Sequence, residues 1–326
     1  MTDDGPRIVF MGTPEFAVAS LRALTEKGYC IPAVVTVTDK PAGRGRKLTP
    51  SPVKEFALSE GLRVLQPEKL REPSFINTLR EINADIFVVV AFRMLPDEVW
   101  SLPPMGTFNL HASLLPQYRG AAPINHAVMN GEAKTGVTTF LIDHEIDTGK
   151  ILLSAETAID PQETAGEVHD RLMKMGAALV TETVRGLAEK SLKAVPQVIP
   201  PGTIVHTAPK IFPADTLINW EDSSQNIHNK IRGLSPWPGA ATVLSSAGNE
   251  VKLKLFRSLT SYDVRNEPGT VIVKDNRQLF IACGKGSVEI LELQPEGRRR
   301  MTSSEFLRGK NIQGFQALPE PKPLSD

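Results

Sequence analysis

Short apolar runs alternate with amphipathic stretches along the first half of the chain. The apolar runs at 7–11, 31–37, 85–91 and 108–111 are short enough for buried strands, whereas the stretches between them repeat apolar residues at helical spacing. Further strands are predicted at 135–143 and 151–155, followed by a long helix at 164–187. Because strands that alternate with helices form parallel sheets, the pattern predicts an α/β domain over residues 1–190, with an open, mostly parallel, Rossmann-like sheet.

The pattern changes after a proline-dense segment at 191–208, which is predicted to be a semi-rigid linker. A helix at 224–233 is then followed by five short strands, at 241–244, 251–256, 269–273, 279–282 and 287–293, with turn residues between them. Five short strands suggest a small, OB-like β-barrel over residues 209–315. Residues 316–326 are rich in proline and predicted to be a loose tail.

The first strand runs into a tight turn, Gly12-Thr13-Pro14-Glu15, and then a helix. Thr13 is a suitable helix cap, and Pro14 suits a first helical turn. A dinucleotide-binding turn would carry G-x-G-x-x-G, but Gly12 stands alone. The sequence therefore disfavours a nicotinamide or flavin cofactor.

Composition narrows the class of protein only slightly. The chain is 41% hydrophobic and 23% charged, and no apolar run reaches membrane-spanning length, which predicts a globular protein in the cytoplasm, without membrane contact. Cys30 and Cys283 lie far apart, so neither a disulfide framework nor a metal site is expected. Basic and acidic residues both total 37, so only local clusters of charge can indicate an anionic partner.

One such cluster occupies residues 39–54, where glycines and prolines argue against any regular element. Its cations are Lys40, Arg44, Arg46, Lys47 and Lys54. A solvated surface loop is the usual role of such a run, but its length and its place after a strand favour phosphate contact. Basic residues of the second domain fit either a phosphate backbone or a solvated face.

Polar residues with chemical potential follow the strand at 108–111. Asn109 and His111 project to one face because strand residues alternate, and they lie at a strand's carboxyl end, where α/β sheets bind ligands. An amide can stabilise an oxyanion, and an imidazole can move protons. A hydrogen-bonded structural histidine is the alternative, and Asp147, before Thr148-Gly149, is by itself equally explained as a turn residue.

Several motifs together decide between these readings: Asn109-Leu110-His111, Ser113-Leu114-Leu115-Pro116, Arg119-Gly120 and Asp147-Thr148-Gly149. In this combination the chain resembles the folate-dependent formyltransferases, over nearly its whole length. The resemblance implies the formyltransferase type of Rossmann-like sheet. It implies that Asn109, His111 and Asp147 are catalytic, that Ser113, Leu114, Leu115 and Pro116 contact folate, and that no metal is involved.

The loop Lys40–Lys54, the segment Arg119–Ile124 and Gln294-Pro295-x-Gly297 narrow the resemblance to family members that act on RNA. It implies 10-formyltetrahydrofolate as formyl donor and, as acceptor, the amino group of methionine on initiator tRNA, with Arg44, Lys47 and Arg46 contacting the tRNA and a monomer as the active form. Two alternatives are formyl transfer to a sugar amine or purine precursor, and a tRNA-binding protein without activity.

Two positions depart from the family pattern. Phe92 to Pro96 is one residue shorter than the usual segment, so the wall of the pterin pocket is expected to differ. Glu145 stands where glycine is usual, so the loop before Asp147 is expected to adopt another backbone conformation.

Overall fold

The structure, a computed structural model, describes residues 5–42, 47–262 and 266–318. The chain forms two compact units. The first comprises Met1–Gly120, Gly136–Thr157 and His169–Thr207, and the second comprises Ala121–Thr135, Ala158–Val168 and Ala208–Asp326. Residues 121–135 and 158–168, which lie within the predicted first domain, therefore pack with the second unit.

Helices and strands alternate along the first half of the chain, and strands predominate in the second half. In chain order they are β1 (Ile8–Gly12), α1 (Glu15–Glu26), β2 (Ala33–Val35), β3 (Lys40–Ala42), β4 (Lys47–Thr49), α2 (Pro52–Ser59), β5 (Val64–Leu65), α3 (Pro73–Ile82), β6 (Ile86–Val90), α4 (Asp97–Trp100), β7 (Thr107–His111), β8 (Arg119–Gly120), α5 (Pro123–Met129), β9 (Lys134–Leu141), β10 (Ile151–Ala158), α6 (Ala165–Ala188), β11 (Thr207–Ala208), a 3-10 helix (Pro213–Thr216), α7 (Ser224–Gly233), β12 (Ala240–Ser246), β13 (Asn249–Ser261), β14 (Val271–Lys274), β15 (Gln278–Ala282), β16 (Ser287–Pro295), β17 (Met301–Thr302), α8 (Ser303–Gly309) and β18 (Gln316–Ala317).

The first unit is built on a sheet with the strand order β10-β9-β7-β6-β1-β2-β5. The strands from β7 to β5 pair in parallel, and β9 pairs with β7 antiparallel. The chain moves from β1 outward to β2 and β5 and then crosses to β6 on the other side of β1. Such a reversal opens a crevice at the carboxyl ends of the strands. The predicted Rossmann-like class is confirmed.

Gly12 ends β1 where β1 and β6 come close together. A Cβ at this position would lie 2.7 Å from Ala17 Cβ and 3.0 Å from the carbonyl oxygen of Val90. The glycine therefore allows close packing of the turn. Pro14, and not Thr13, is the N-cap of α1, and it gives no side-chain cap. The predicted Thr13 cap is thus wrong, and the Thr13 hydroxyl has no hydrogen-bond partner.

The second unit contains an antiparallel sheet with the order β14-β15-β16-β13-β12-β18. Its first and last strands approach each other: Val271 N donates to Phe315 O at 3.2 Å, and Ala317 N donates to Gly269 O at 2.8 Å. The sheet is therefore a nearly closed barrel, as predicted. Its core surrounds Trp220, whose indole nitrogen donates to Thr242 Oγ1 at 3.0 Å.

Helix α5 packs on α7 within this unit. Asn125 Nδ2 donates to Gly233 O at 2.7 Å. A Cβ on Gly233 would lie 2.4 Å from Met129 Cγ, so the helices meet through the glycine. This contact explains why residues 121–135 belong to the second unit although they follow the first in sequence.

Three further predictions need correction. Residues 39–54 were expected to lack regular structure, yet β3 and β4 form an antiparallel pair, in which Lys40 faces Thr49. Residues 316–326 were expected to be a tail, but Gln316–Ala317 pairs with β12. Helix α8 was missed although its Thr302 cap and Glu305 form a capping box, a signal present in the sequence. The rest of the predicted tail, 319–326, lies outside the described residues.

Among the described residues, no helix is both long enough and apolar enough to cross a membrane.

Glu167, in the second unit, is another helix-capping residue, and its contacts make the stability of the fold depend on pH. Its carboxylate accepts hydrogen bonds from Thr164 N and Oγ1, at 2.8 and 2.7 Å, and from Arg257 Nη2 at 2.6 Å. Burial alone raises the pKa of Glu167, but the donors outweigh burial and lower its pKa to about 2. Because the folded pKa lies below the unfolded value of 4.5, this stability is present above pH 4.5 and lost as the pH falls towards 2.

We expect Glu167→Gln to lower the thermal unfolding midpoint at pH 7 by about 2 °C, a modest change because solvent screens the pair. Unfolding curves between pH 7 and pH 2 would show the difference from the unsubstituted protein shrinking with acidity. Glu182→Gln, an exposed position on the same helix, is the control. A difference that stays constant with pH would contradict the linkage to Glu167.

Candidate active site

Strand β7 carries Asn109 and His111 towards the carboxyl end of the parallel strands. The strand is paired on both sides, since Asn109 lies opposite Val89 of β6 and Phe140 of β9. Phe108 and Leu110, which alternate with the two polar residues, are buried. Asn109 is half-buried, and His111 is only 6% exposed. The sheet thus gives both side chains a rigid support.

His111 is oriented by a main-chain carbonyl. Its Nε2 lies 2.8 Å from Tyr118 O, and because a carbonyl only accepts hydrogen bonds, Nε2 must carry the proton. Tyr118 has a φ of +58°. It is held in place by two contacts with His206: its main-chain N–H donates to His206 O at 2.7 Å, and its ring stacks on the His206 ring. Nδ1 is therefore the ring nitrogen that remains available to a second partner.

Asp147 faces that atom. Its Oδ2 lies 3.8 Å from His111 Nδ1 and accepts a hydrogen bond from Gly120 N at 2.9 Å. Asp147 has φ +56°, a left-handed conformation that aspartate tolerates better than most residues. Two residues later, position 149 requires glycine, because a Cβ there would lie 1.7 Å from Leu141 O. The fold brings together an imidazole and a carboxylate that are distant in sequence.

The segment after β7, Ser113 to Pro116, is fixed by a buried hydroxyl that the sequence analysis missed. Thr138 Oγ1 donates to Ser113 O at 2.7 Å and accepts from Leu115 N at 3.3 Å. Ser113 is fully buried, and its own hydroxyl donates to Gln117 O at 2.6 Å. Leu114 and Pro116 are half-exposed, whereas Leu115 is buried. Any ligand of this segment would therefore meet the side chains of Leu114 and Pro116.

The segment Phe92 to Pro96 follows β6, the neighbour of β7. Met94 is 76% exposed, and Leu95 is buried. The Arg93 guanidinium donates to Glu68 O at 2.8 Å and to Pro67 O, and burial lowers the pKa of Arg93. Because β6 and β7 are parallel neighbours, the segments that carry Met94, Leu114 and Pro116 both follow the same edge of the sheet.

Arg44, Arg46 and Lys47 are the cations predicted to bind tRNA. Arg44 and Arg46 fall outside the described residues, and the main chain of Lys47 pairs with Ala42. The base of the hairpin is anchored, because Lys54 Nζ lies 2.7 Å from Asp39 Oδ2 and Gln66 Nε2 donates to Asp39 Oδ1 at 2.8 Å. These hydrogen bonds lower the pKa of Asp39.

Gln197, which no sequence motif singles out, contacts the site directly through its side chain. Its amide nitrogen donates to the carbonyls of Asp147 and Gly149, at 2.8 and 2.9 Å. No pattern in the proline-dense segment distinguished this residue, because its importance depends on how the segment packs against the turn.

Comparison with known proteins defines the class of protein. Residues 6–184 match the model for "Formyl transferase", and residues 210–311 match the model for "Formyl transferase, C-terminal domain". The chain belongs to the formyl transferase family and is a formyl-transferring enzyme. The resemblance drawn from the motifs around His111 and Asp147 is thereby confirmed.

Relatives named methionyl-tRNA formyltransferase match nearly the whole chain. The protein of Bacteroides thetaiotaomicron is 47% identical over 313 residues, covering 95% of this chain and 97% of its own. That of Symbiobacterium thermophilum is 45% identical over 322 residues, with 97% of each covered.

Solved structures share the fold. HypX from Aquifex aeolicus in complex with tetrahydrofolic acid has a TM-score of 0.61 at 19% identity, covering 93% of this chain and 47% of its own. WlaRD, a sugar 3N-formyl transferase solved with dTDP and 5-N-formyl-THF, has a TM-score of 0.63 at 21% identity, covering 90% and 99%. At these identities the likeness is one of fold only.

Proposed function

We propose that the enzyme transfers the formyl group of 10-formyltetrahydrofolate to the free amino group of methionyl-tRNA(initiator). The product is N-formylmethionyl-tRNA, used in translation initiation in the cytoplasm. One observation carries the proposal: His111 has Nε2 fixed on a carbonyl and Nδ1 directed at Asp147. The names of relatives at 45–48% identity support methionyl-tRNA as the acceptor.

The catalytic roles follow from the chemistry of each side chain. Attack by the neutral amine on the formyl carbon develops negative charge on the formyl oxygen. Asn109 Nδ2 and the protonated Nδ1 of His111 donate hydrogen bonds to that oxygen. Asp147, which faces His111 Nδ1, takes part in moving the proton that the amine loses towards the departing nitrogen.

The folate co-substrate fits the apolar edge that follows β6 and β7. Leu114 and Pro116 provide half-exposed side chains there, and Met94 provides an exposed one. Ser113 and Leu115 are buried, so their contribution is to hold the main chain of the segment in place through Thr138. When bound, the co-substrate supplies the activated formyl group.

The tRNA is proposed to contact Arg44, Lys47 and Arg46, and also the second unit. That unit presents Trp237, which is 77% exposed, with Lys254 Nζ 5.2 Å from its ring centroid. An exposed aromatic ring beside an ammonium group is the pairing that stacks bases and neutralises phosphates. This surface favours RNA over a small sugar as the acceptor.

The function is tested by measuring formyl incorporation into initiator methionyl-tRNA, elongator methionyl-tRNA, free methionine and a sugar amine. We expect turnover with methionyl-tRNA and preference for the initiator species. Equal turnover with a sugar amine or a purine precursor would instead assign a different formyl transfer to the same site. Binding of tRNA without any formylation would point to a protein that binds tRNA without activity.

Trp237→Ala is expected to raise the KM for methionyl-tRNA about tenfold, because one lost base stack is worth about 1–3 kcal/mol. The KM for the folate co-substrate should not change. Tyr262→Ala removes another exposed aromatic ring of the same unit and is the matched control. An unchanged KM for tRNA in the Trp237 variant would exclude this surface from tRNA binding.

A further inference from the structure

The side-chain amide of Gln197 uses all of its hydrogen-bonding capacity within the first unit. Its two N–H groups donate to Asp147 O at 2.8 Å and Gly149 O at 2.9 Å. Its oxygen accepts from Arg119 Nε at 3.2 Å and Nη2 at 2.6 Å. An amide has two donor hydrogens and two acceptor lone pairs, so none is left for solvent or substrate.

These four hydrogen bonds join the two segments that hold the carboxylate of Asp147. One segment is the turn 147–149, whose carbonyls receive the amide hydrogens. The other is β8, where Arg119 donates to Gln197 and the next residue, Gly120, donates from its N–H to Asp147 Oδ2. Asp147 is therefore held twice, by its side chain directly and by its main chain through Gln197.

Such support matters because of the backbone conformation of Asp147. At φ +56° the residue occupies the left-handed region, which is unfavourable for residues with a Cβ, so the turn needs external contacts to persist. Rotation of this turn would move Oδ2 relative to His111 Nδ1, from which it lies 3.8 Å away. A catalytic group displaced by about 1 Å can cost about 100-fold in rate.

The segment that carries Gln197 is itself anchored. Val195 and Ile151 exchange two main-chain hydrogen bonds of 2.8 Å at the start of β10. The amide at position 197 is thereby presented to the turn by a fixed stretch of chain.

We propose that Gln197 is a positioning residue for formyl transfer: it fixes the 147–149 turn so that Asp147 faces His111. The inference rests on the proposed function, since it assigns Asp147 a catalytic role. It concerns a residue of the segment 191–208, which the sequence predicted to be a linker between domains.

A purely structural role is the competing explanation, and the chain offers a matched control for it. Ser191 anchors the same segment elsewhere, because its hydroxyl donates to Gly186 O at 3.2 Å. That bond involves neither Asp147 nor the residues that hold His111. Ser191→Ala therefore removes a contact from the segment and leaves the turn 147–149 anchored.

The test uses the full-length enzyme with methionyl-tRNA and the formyl donor. We expect Gln197→Met to lower kcat about 10- to 100-fold, with the KM of both substrates changed less than about threefold. Gln197→Glu keeps the acceptor for Arg119 and removes the two donors, so it should fold and show a similar loss. Ser191→Ala should keep kcat within about threefold.

A double-mutant cycle with Asp147→Asn identifies the residue through which Gln197 acts. In the Asp147→Asn background, Gln197→Met should lower kcat by less than about threefold, since its effect is already lost. Equal losses in both backgrounds, or an equal loss of kcat in Ser191→Ala, would overturn the proposal. If Asp147→Asn itself leaves kcat unchanged, the proposed function of the site fails; if only the Gln197 variants leave kcat unchanged, the positioning role alone fails.

Discussion

Replacement of His111 by alanine is expected to lower kcat for formylation of methionyl-tRNA by about 10²- to 10⁴-fold, the range found for groups that move protons in a transition state. The imidazole is 6% exposed, with one nitrogen held by Tyr118 O and the other 3.8 Å from a carboxylate oxygen of Asp147. Among the described residues, no second imidazole pairs with Asp147, so no neighbour is placed to substitute for the ring.

Single-turnover formyl incorporation would check this prediction, because it separates the chemical step from product release. Truncation also leaves Tyr118 O without its donor, so the unfolding midpoint must be followed in parallel. His111→Gln keeps an amide N–H near that carbonyl and should retain more stability with a similar loss of rate. His169→Ala, a half-exposed histidine on α6, is the control. Near-normal turnover in a folded His111 variant would return the residue to a structural role.

Asn109→Ala should lower kcat by about 10²- to 10³-fold, as loss of one donor to a developing oxyanion does. The interaction strengthens only as charge forms on the formyl oxygen, so the KM of either substrate is expected to change little. Strand β7 is paired on both sides, so the truncation should not displace His111.

Steady-state kinetics with each substrate varied in turn would measure this effect. Asn77→Ala, an exposed asparagine on α3, serves as the matched control. A raised KM with an unchanged kcat would show that Asn109 binds the ground state, which would remove it from the proposed oxyanion site.

The regular part of the first unit could be predicted because its signals are local. Apolar periodicity located the helices between the first strands, among them α3 at Pro73–Ile82, and it located α7 at Ser224–Gly233 in the second unit. β7 was predicted to begin at residue 108, one residue after its observed start at Thr107. In buried strands and amphipathic helices, the spacing of apolar residues along the chain reflects which side chains are buried. The sheet class follows from the alternation of these strands and helices.

Features that depend on partners distant in sequence were not predictable. The hairpin of β3 and β4 forms despite glycines and prolines because its two strands satisfy each other's main-chain groups. Strand β18 forms because β12 presents an edge to it. Residues 121–135 join the second unit through the glycine contact between α5 and α7. In each case the decisive contact leaves no periodic pattern in the segment itself.

The sequence by itself determined the class of fold, the family, and the identity of the candidate residues Asn109, His111 and Asp147. Residue types and motif spacing can be read directly from the sequence, without knowledge of the fold. Only the tertiary structure decided how those residues are held: His111 by Tyr118 O and Asp147 by Gly120 N. It also decided that Gln197, in a segment predicted to be a linker, supports the turn of Asp147. Motifs record which groups are present, whereas hydrogen bonds between distant segments depend on how the chain packs.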